Sequence, residues 1–273
     1  MGGGPCLRPP LPPHPPPQGR APEAPLWEEE IVLVPSLLTM FFLAQDSRDL
    51  RFPDPRLASP EGLVAVGGDL RPERLIAAYQ RGIFPWFNDG QPVLWWSPEP
   101  RAVLFPDGVR VTRSLAKRLR NGGFQVTTDT CFRAVMEGCA APRRDDPEGG
   151  TWIVGAMIES YCALHHLGLA HSIECWHAGQ LAGGLYGIAL GRAFFGESMF
   201  SRVPDASKVA LVHLARQLAA WEFHFIDCQL PTPHLASLGA VEMSRRDYLR
   251  RLKVALAAPD RIGRWRFDVG GGG

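Results

Sequence analysis

Two short apolar runs lie close together in the chain, at residues 185–190 and 193–200. Gly191-Arg192 between them can form a tight turn, so the pattern predicts two adjacent antiparallel strands in a sheet buried on both faces. The second run carries one carboxylate, Glu197, and burying a carboxylate is costly unless it is paired or hydrogen-bonded. A Glu at a strand end that reaches water is the plain alternative. The aromatic neighbours of Glu197 favour a functional carboxylate in the wall of a pocket.

Extended and helical patterns follow one another along the rest of the chain. Apolar runs predict further strands at 102–105, 124–127, 171–176 and 223–228. Amphipathic spacing and capping residues predict helices that begin at or just after Asp69, Thr112, Thr130, Gly150, Asp205 and Ser244. This order predicts an α+β fold with a central mixed sheet flanked by helices. It resembles the acetyltransferase-like fold of acyl-transfer enzymes.

Composition divides the chain into four parts. Residues 1–30 are rich in proline and glycine and cannot bury enough apolar surface to fold, so we expect them to be disordered. Residues 31–99 are predicted to form a small N-terminal domain with two aromatic clusters. Residues 100–262 are predicted to form the larger α+β domain, and the glycine-rich residues 263–273 a flexible tail.

The formal net charge is only +1 over 273 residues, so a nucleic-acid partner has to be inferred from local patches rather than from overall charge. The six cysteines form no C-x-x-C pair, which favours buried free thiols in a reducing compartment over disulfides or zinc. The apolar run at 31–44 is interrupted by Pro35 and preceded by acidic residues. It is typical of neither a membrane span nor a signal peptide. We therefore expect a cytoplasmic protein with no membrane partner.

Three features point to a surface for nucleic acid. Trp86 lies beside a proline and polar residues, so its ring can form an exposed stacking surface. Trp152 lies at the predicted start of a helix, where a side chain can project into a cleft. Arg113, Lys117 and Arg120 recur at spacings of four and three, so they share one helix face. That face is either a solvated surface or a grip on phosphates.

A polar pair ends the predicted strand at 223–228. Asp227 and Gln229 alternate along the chain, so both side chains are expected on one face, with Cys228 on the other. Strands disfavour Asp, which makes the pair unusual. It is either a structural network that ties the strand to the next loop or part of an acyl-transfer site. In the second case Gln229 orients an attacking amine, and Asp227 polarises that arrangement or pairs with a cation.

Many ordered motifs accompany these residues. They are Glu61-Gly62-Leu63, Gly67-Gly68-Asp69-Leu70, Ala78-Tyr79, Gly82-Ile83-Phe84-Pro85-Trp86, Leu94-Trp95-Trp96-Ser97-Pro98, Pro100-Arg101, Gly150-Thr151-Trp152-Ile153, Phe195-Gly196-Glu197-Ser198-Met199-Phe200-Ser201-Arg202, Ala206-Ser207-Lys208, Asp227-Cys228-Gln229, His234 and Ser237-Leu238-Gly239-Ala240. Together, from about residue 48 to 252, they closely resemble the leucyl/phenylalanyl-tRNA–protein transferase family. The chain departs from the family pattern in its proline-rich extension, at Arg71 and in a longer loop at 145–149. None of these departures touches a motif residue.

The resemblance implies an enzyme that moves Leu or Phe, with Met as a further candidate, from aminoacyl-tRNA to the N-terminal amine of proteins beginning with Arg or Lys. That addition marks the acceptor protein for degradation. The resemblance implies that three residues are catalytic or position the substrates, namely Glu197, Asp227 and Gln229. It also implies substrate contacts from Trp86 and Trp152, which would stack on the terminal adenosine, from Tyr79 near the site, and from a side-chain pocket formed by Leu185, Phe194 and Ile226.

An aminoacyl ester is already activated, so we expect no cofactor, metal or covalent nucleophile, and we expect a monomer. The basic face at Arg113, Lys117 and Arg120 would hold the acceptor stem without reading its sequence. An acetyl-CoA-dependent N-acyltransferase is a rival, but it needs a glycine-rich loop that runs into a helix, whereas the glycines at 183–191 lie within predicted strands. A non-catalytic RNA-binding module is the other rival, and it leaves the convergence of Asp227 and Gln229 with Glu197 unexplained.

Overall fold

A smaller sheet of four strands lies at the N-terminal end of the part of the chain that the computed structural model describes, residues 41–142 and 153–268. Its strands are β1 (Phe41–Leu43), β2 (Leu63–Gly67), β3 (Phe84–Pro85) and β4 (Leu94–Trp96), in the order β1-β2-β4-β3. β1 and β2 are parallel, and the other pairs are antiparallel. Helix α1 (Pro72–Tyr79) connects β2 to β3.

A larger sheet of seven strands carries the site. Its order is β11-β5-β10-β9-β8-β7-β6, and only the β9–β10 pair is parallel among its described pairs. The strands are β5 (Arg101–Leu104), β6 (Phe124–Thr128), β7 (Ala170–His177), β8 (Gln180–Leu190), β9 (Ala193–Ser201), β10 (Phe225–Gln229) and β11 (Val241–Met243). The predicted antiparallel pair is β8–β9, in which Leu190 faces Ala193 across the Gly191-Arg192 turn.

Helices cover both faces of this sheet, because side chains alternate along its buried strands. They are α2 (Arg113–Asn121), α3 (Phe132–Ala140), α4 (Gly155–His166), α5 (Ala206–Ala220), α6 (Pro233–Ser237) and α7 (Arg245–Ala255). Phe195 packs with α1, α3, α4 and α7 in one core, and its neighbour Phe194 packs with α2 and α5 in a second core. The predicted α+β class, a mixed sheet flanked by helices with a small N-terminal sheet, is confirmed.

Two of the predicted N-cap side chains cap their helices, and two do not. Thr112 and Ser244 cap α2 and α7 as predicted, because their side chains accept from the backbone N–H three residues later. Asp69 does not cap α1: Arg71 occupies the N-cap position, and Asp69 accepts from the Arg71 backbone N–H and pairs with Arg74. Asp205 occupies the N-cap position of α5 but makes no side-chain cap bond. Its left-handed backbone, with φ of 69°, turns the carboxylate toward Lys208 instead.

The described residues all belong to one compact unit, and its first core draws side chains from both sheets. The boundary predicted near residue 99 falls between β4 and β5 and stays a prediction. The predicted disordered stretch, 1–30, lies outside the described residues. No helix among the described residues is long and apolar enough to cross a membrane.

The predicted flexible tail is wrong for its first residues. The Trp265 side chain is 3% exposed, and its ring stacks on His171 with the centroids 3.7 Å apart. Its backbone N–H donates to Asp129 at 2.7 Å, and its carbonyl accepts from Thr128 at 2.9 Å. An indole of this size contributes enough buried apolar area to hold the segment against the sheet in spite of the glycines around it. Residues 269–273 lie outside the described part of the chain.

Candidate active site

A pocket of about 1030 Å³ opens where β8, β9 and β10 lie side by side. Leu185, Phe194 and Ile226, the three residues predicted to hold an apolar side chain, all line it, and each is buried. Trp86 also lines the pocket and is 41% exposed, so one side of its ring is available to a ligand. The structure therefore brings together the apolar wall and the stacking surface predicted from the sequence.

Glu197 lies in the wall of this pocket and is only 7% exposed. Its Oε1 accepts from Nε2 of Gln229 at 2.8 Å, and its Oε2 accepts from the Tyr161 hydroxyl at 3.0 Å. Burial raises the pKa of Glu197 to about 7, and the hydrogen bonds from Tyr79 and Tyr161 oppose that rise. Near neutral pH this carboxyl is therefore able both to hold and to release a proton.

Tyr79 stands behind this carboxyl rather than in the pocket. Its side chain is fully buried, and its hydroxyl lies 2.5 Å from the hydroxyl of Tyr161. Burial and the nearby Glu197 charge raise the pKa of both phenols well above the usual value. The phenols therefore stay protonated and serve as hydrogen-bond donors. Tyr79 donates to Glu197 from the protein interior and does not line the pocket.

Asp227 is held in a closed ion pair. Its side chain and that of Arg101 are both 0% exposed, and the two form a bidentate pair, with Nε–Oδ1 at 2.8 Å and Nη2–Oδ2 at 2.6 Å. The Tyr248 hydroxyl donates to Oδ2 at 2.7 Å. The Arg101 guanidinium lies over the rings of Tyr248 and Phe84, at 4.4 and 4.9 Å from the centroids. Of the two expectations for Asp227, pairing with a cation is the one that the geometry realises.

Gln229 reaches the pocket through an irregularity in β10. The β5–β10 register shifts between Asp227 and Gln229, and Gln229 has a φ of 62°, which is unusual for a residue other than glycine. The carboxylate of Asp227 stabilises this conformation by accepting from the Gln229 backbone N–H at 2.9 Å. Cys228 packs against the second core, whereas Asp227 bonds to Tyr248 of the first core, so these two side chains lie on opposite faces as expected. Gln229 bonds to Glu197, which itself bonds to Tyr161 of the first core. Cys228 and Gln229 both line the pocket, and Asp227 does not.

The basic face of α2 is separated from this cluster. Arg113, Lys117 and Arg120 are all exposed on α2, and none of them lines the pocket. Leu115, on the other side of the helix, packs against the α5 core. Arg118 of the same helix lies 3.7 Å from Asp205 at the start of α5. Trp152 lies outside the described residues.

Sequence reasoning missed Arg101, Tyr161 and Tyr248, which hold the two carboxylates. Arg101 and Asp227 are 126 positions apart, so no local pattern joins them. One signal was present: each of the apolar strands β5 and β10 carries a single charged residue. Opposite charges confined to two buried strands indicate a partnership, because an unpaired buried charge is too costly to keep.

Comparison with known proteins finds close relatives in one family. A family model described as leucyl/phenylalanyl-tRNA protein transferase matches residues 103–253, and the model of the N-terminal domain of that family matches residues 68–99. The leucyl/phenylalanyl-tRNA–protein transferase of Nitrosospira multiformis is 60% identical over 212 residues, covering 78% of this chain and 90% of the relative. The enzyme of the same name from Nitrosomonas europaea is 56% identical, covering 81% and 93%.

A solved structure, the C-terminal domain of a proposed lysylphosphatidylglycerol synthetase from Agrobacterium fabrum, covers 73% of this chain and 65% of its own. The two are 14% identical with a TM-score of 0.34, a likeness too low to support any argument. The family matches and the close relatives carry the assignment instead. On that basis, the chain belongs to the leucyl/phenylalanyl-tRNA–protein transferase family.

Proposed function

We propose that this protein transfers a leucyl or phenylalanyl group from its charged tRNA to the α-amine of proteins that begin with Arg or Lys. The observation that carries the proposal is the hydrogen bond between Gln229 and Glu197 in the wall of the apolar pocket. It places a neutral amide and a carboxyl of raised pKa beside a space lined by Leu185, Phe194 and Ile226. Apolar walls of this kind suit the side chain of Leu, Phe or Met.

The reaction needs little besides positioning and electrostatic stabilisation. The neutral acceptor amine attacks the ester carbonyl carbon, so a C–N bond forms and the bond to the ribose oxygen breaks. The proton that the amine loses ends on that leaving oxygen. Because Nε2 of Gln229 donates to Glu197, its Oε1 is free to accept from the attacking amine. No cofactor enters these steps, since the ester is already activated.

The two carboxylates take different parts in this proposal. Glu197 lies in the wall of the space where the substrates meet, and with a pKa of about 7 it is partly ionised near neutral pH. Asp227 acts as a positioning residue, because it holds the backbone of Gln229 in its left-handed conformation. Glu197 is also the one carboxylate among the described residues that line the pocket, so it is the group available to attract an acceptor's cationic side chain.

The aminoacyl-tRNA, which is the donor substrate, would be held at its 3′ end and along its acceptor stem. Trp86 presents a half-exposed indole at the pocket, and stacking a base on an aromatic ring contributes about 1–3 kcal/mol. Trp152 is proposed as the second stacking ring, on the family motif alone. The exposed basic face of α2, at Arg113, Lys117 and Arg120, is proposed to contact stem phosphates. We propose a cytoplasmic location, where charged tRNA is present, and a monomer.

A single assay tests the function and separates it from its rivals. A peptide with N-terminal Arg is incubated with the protein and with phenylalanyl-tRNA, leucyl-tRNA or acetyl-CoA, and its mass is measured. We expect the mass to rise by one Phe or Leu residue with the charged tRNAs and to stay unchanged with acetyl-CoA. A gain of one acetyl group contradicts the proposal, and tRNA binding without any mass change indicates a non-catalytic RNA-binding module. A peptide with a blocked N-terminus is the control for the attacking amine.

A further inference from the structure

A second concave surface lies between α7 and the N-terminal part of the chain. It is a groove of about 600 Å³ whose lining includes one carboxylate and five basic side chains, namely Asp54, Arg56, Arg81, Arg246, Arg250 and Lys253. The whole chain has a formal charge of only +1. Positive charge is therefore concentrated here, which is the electrostatic signature of a site for a polyanion.

Three of the five cations have no carboxylate within ion-pair distance among the described residues. Arg56 pairs with Asp54, and Arg250 pairs with Asp247 at 2.9 Å. Arg81, Arg246 and Lys253 form no such pair with residues of the described ranges, and all three are exposed. Their charges are available to a ligand.

The cations of α7 form a row. Arg246, Arg250 and Lys253 are four and three residues apart, so they lie along one face of the helix and span about 10 Å of its axis. One strand of a nucleic-acid duplex presents several phosphates over such a length. Arg81, at the turn after α1, lines the same groove and adds a cation from outside α7.

The groove lies near the reaction pocket. Arg81 is three residues before Phe84, which lines the pocket, so their Cα atoms lie within about 11 Å of each other. A strand of a nucleic-acid duplex carries a phosphate about every 3.4 Å, so a tRNA whose 3′ end enters the pocket is long enough to reach the groove.

We propose that this groove binds backbone phosphates of the donor tRNA, as a second contact surface separate from the basic face of α2. α2 packs with α5 against one face of the large sheet, and α7 packs against the other face. The inference rests on the proposed function, since that function requires the 3′ end of a tRNA in the pocket. Its surface residues touch no reacting group, so the groove affects how the donor is held and leaves the chemical step unchanged.

The test uses the triple variant Arg81→Gln/Arg246→Gln/Lys253→Gln in the full-length chain. The matched control is Arg216→Gln/Arg264→Gln/Arg266→Gln, which removes the same charge from exposed residues outside the groove. Binding of uncharged tRNA is measured over a range of KCl concentrations. Transfer to an Arg-peptide is measured with phenylalanyl-tRNA and with 3′-phenylalanyl-adenosine, a donor without phosphates.

We expect the groove variant to lose tRNA affinity on the order of 10- to 100-fold at moderate salt and the salt slope to flatten by about three. kcat/KM should fall with phenylalanyl-tRNA and stay at the wild-type value with phenylalanyl-adenosine. Equal tRNA affinity in the groove and control variants overturns the inference, as does an equal loss with both donors. Binding to anionic lipid vesicles that the groove variant alone abolishes, with tRNA affinity intact, assigns the surface to a membrane and also overturns it.

A failure of the proposed function gives a different result. In that case the wild-type protein transfers from neither donor. Binding of uncharged tRNA still decides the role of the groove.

Discussion

Glu197 and Asp227 lie on the neighbouring strands β9 and β10, and both carboxylates are withdrawn from water, but their surroundings differ. Asp227 is paired with the Arg101 guanidinium and also accepts a hydrogen bond from the Tyr248 hydroxyl. Glu197 accepts hydrogen bonds from an amide and two phenols, and it has no cation within ion-pair distance among the described residues. Burial acts without a full counter-charge at Glu197, so the pKa of that carboxyl rises to about 7.

The sequence predicts one group of catalytic or positioning residues that includes both carboxylates. Their different surroundings divide that group into a residue that positions Gln229 and a residue that meets the substrates. A carboxylate paired with Arg101 and enclosed by protein suits the positioning of Gln229. A carboxyl without a cation, at the pocket surface, changes its protonation near neutral pH and suits contact with the substrates. The predictions below test this division, from the largest expected effect to the smallest.

Asp227→Asn should be the most damaging substitution. It leaves the Arg101 guanidinium buried without a counter-charge, which costs about 3–5 kcal/mol of unfolding free energy. Chemical denaturation measures this loss. Glu159→Gln is the control, because it breaks an exposed ion pair with Arg133 and should change stability little. Equal stability of the two variants contradicts the structural role of Asp227.

Glu197→Gln should change how stability depends on pH. The folded-state pKa of Glu197 is raised above its unfolded value, so its stabilising contribution is complete below about pH 4.5 and is lost as pH rises to about 7. The Gln side chain does not titrate, so the variant does not lose stability in this pH range through residue 197. Its stability relative to wild type should therefore increase between those limits, by about 3 kcal/mol, and stay level above them. Denaturation at several pH values measures the difference, and a constant difference contradicts the raised pKa.

Gln229→Ala should lower kcat about 100-fold, or about 2.7 kcal/mol, with acceptor peptides that begin with either Arg or Lys. The amide is lost where it would accept from the attacking amine, while the backbone bond to Asp227 remains. Stability should fall by about 1–3 kcal/mol, because Oε1 of the buried Glu197 loses its donor. Steady-state kinetics and denaturation measure the two effects. A variant that loses only affinity for the acceptor, with kcat unchanged, excludes the positioning role of the amide.

Glu197→Gln should also relax the choice of acceptor, with the smallest effect of the four. Size is nearly preserved, so the variant removes charge and leaves no cavity. We expect kcat/KM to fall about tenfold for peptides that begin with Arg or Lys and little for one that begins with Met. A uniform loss across the three peptides moves Glu197 from acceptor recognition to the chemical step.

The local parts of the fold could be predicted from the sequence. The β8–β9 pair and the caps at Thr112 and Ser244 depend on residues a few positions apart, and the chain realises them. Glu197 in a pocket wall also followed from its apolar neighbours. These predictions succeed because the physical cause, a period or a capping side chain, is itself local.

The features that define the site depend on long-range contacts. The bulge that turns Gln229 into the pocket shifts the register by one position, and a strict alternation of faces cannot indicate it. Arg101 reaches Asp227 from a strand far away in the chain. Trp265 packs against the sheet although a glycine-rich end follows it in the sequence, since the indole buries a large apolar area.

The ion pair at Asp227 also sets the order in which the site can form during synthesis. Arg101 leaves the ribosome long before its partner, and Tyr248, which donates to the same carboxylate, follows 21 residues after Asp227. At a synthesis rate of about 5–20 residues per second, Asp227 is added on the order of ten seconds after Arg101. During that interval the guanidinium has no counter-charge from Asp227. The β5 strand therefore has to stay hydrated or chaperone-bound in the nascent chain, because closing the large sheet around a lone cation is unfavourable. The pocket becomes competent only after α7 has emerged.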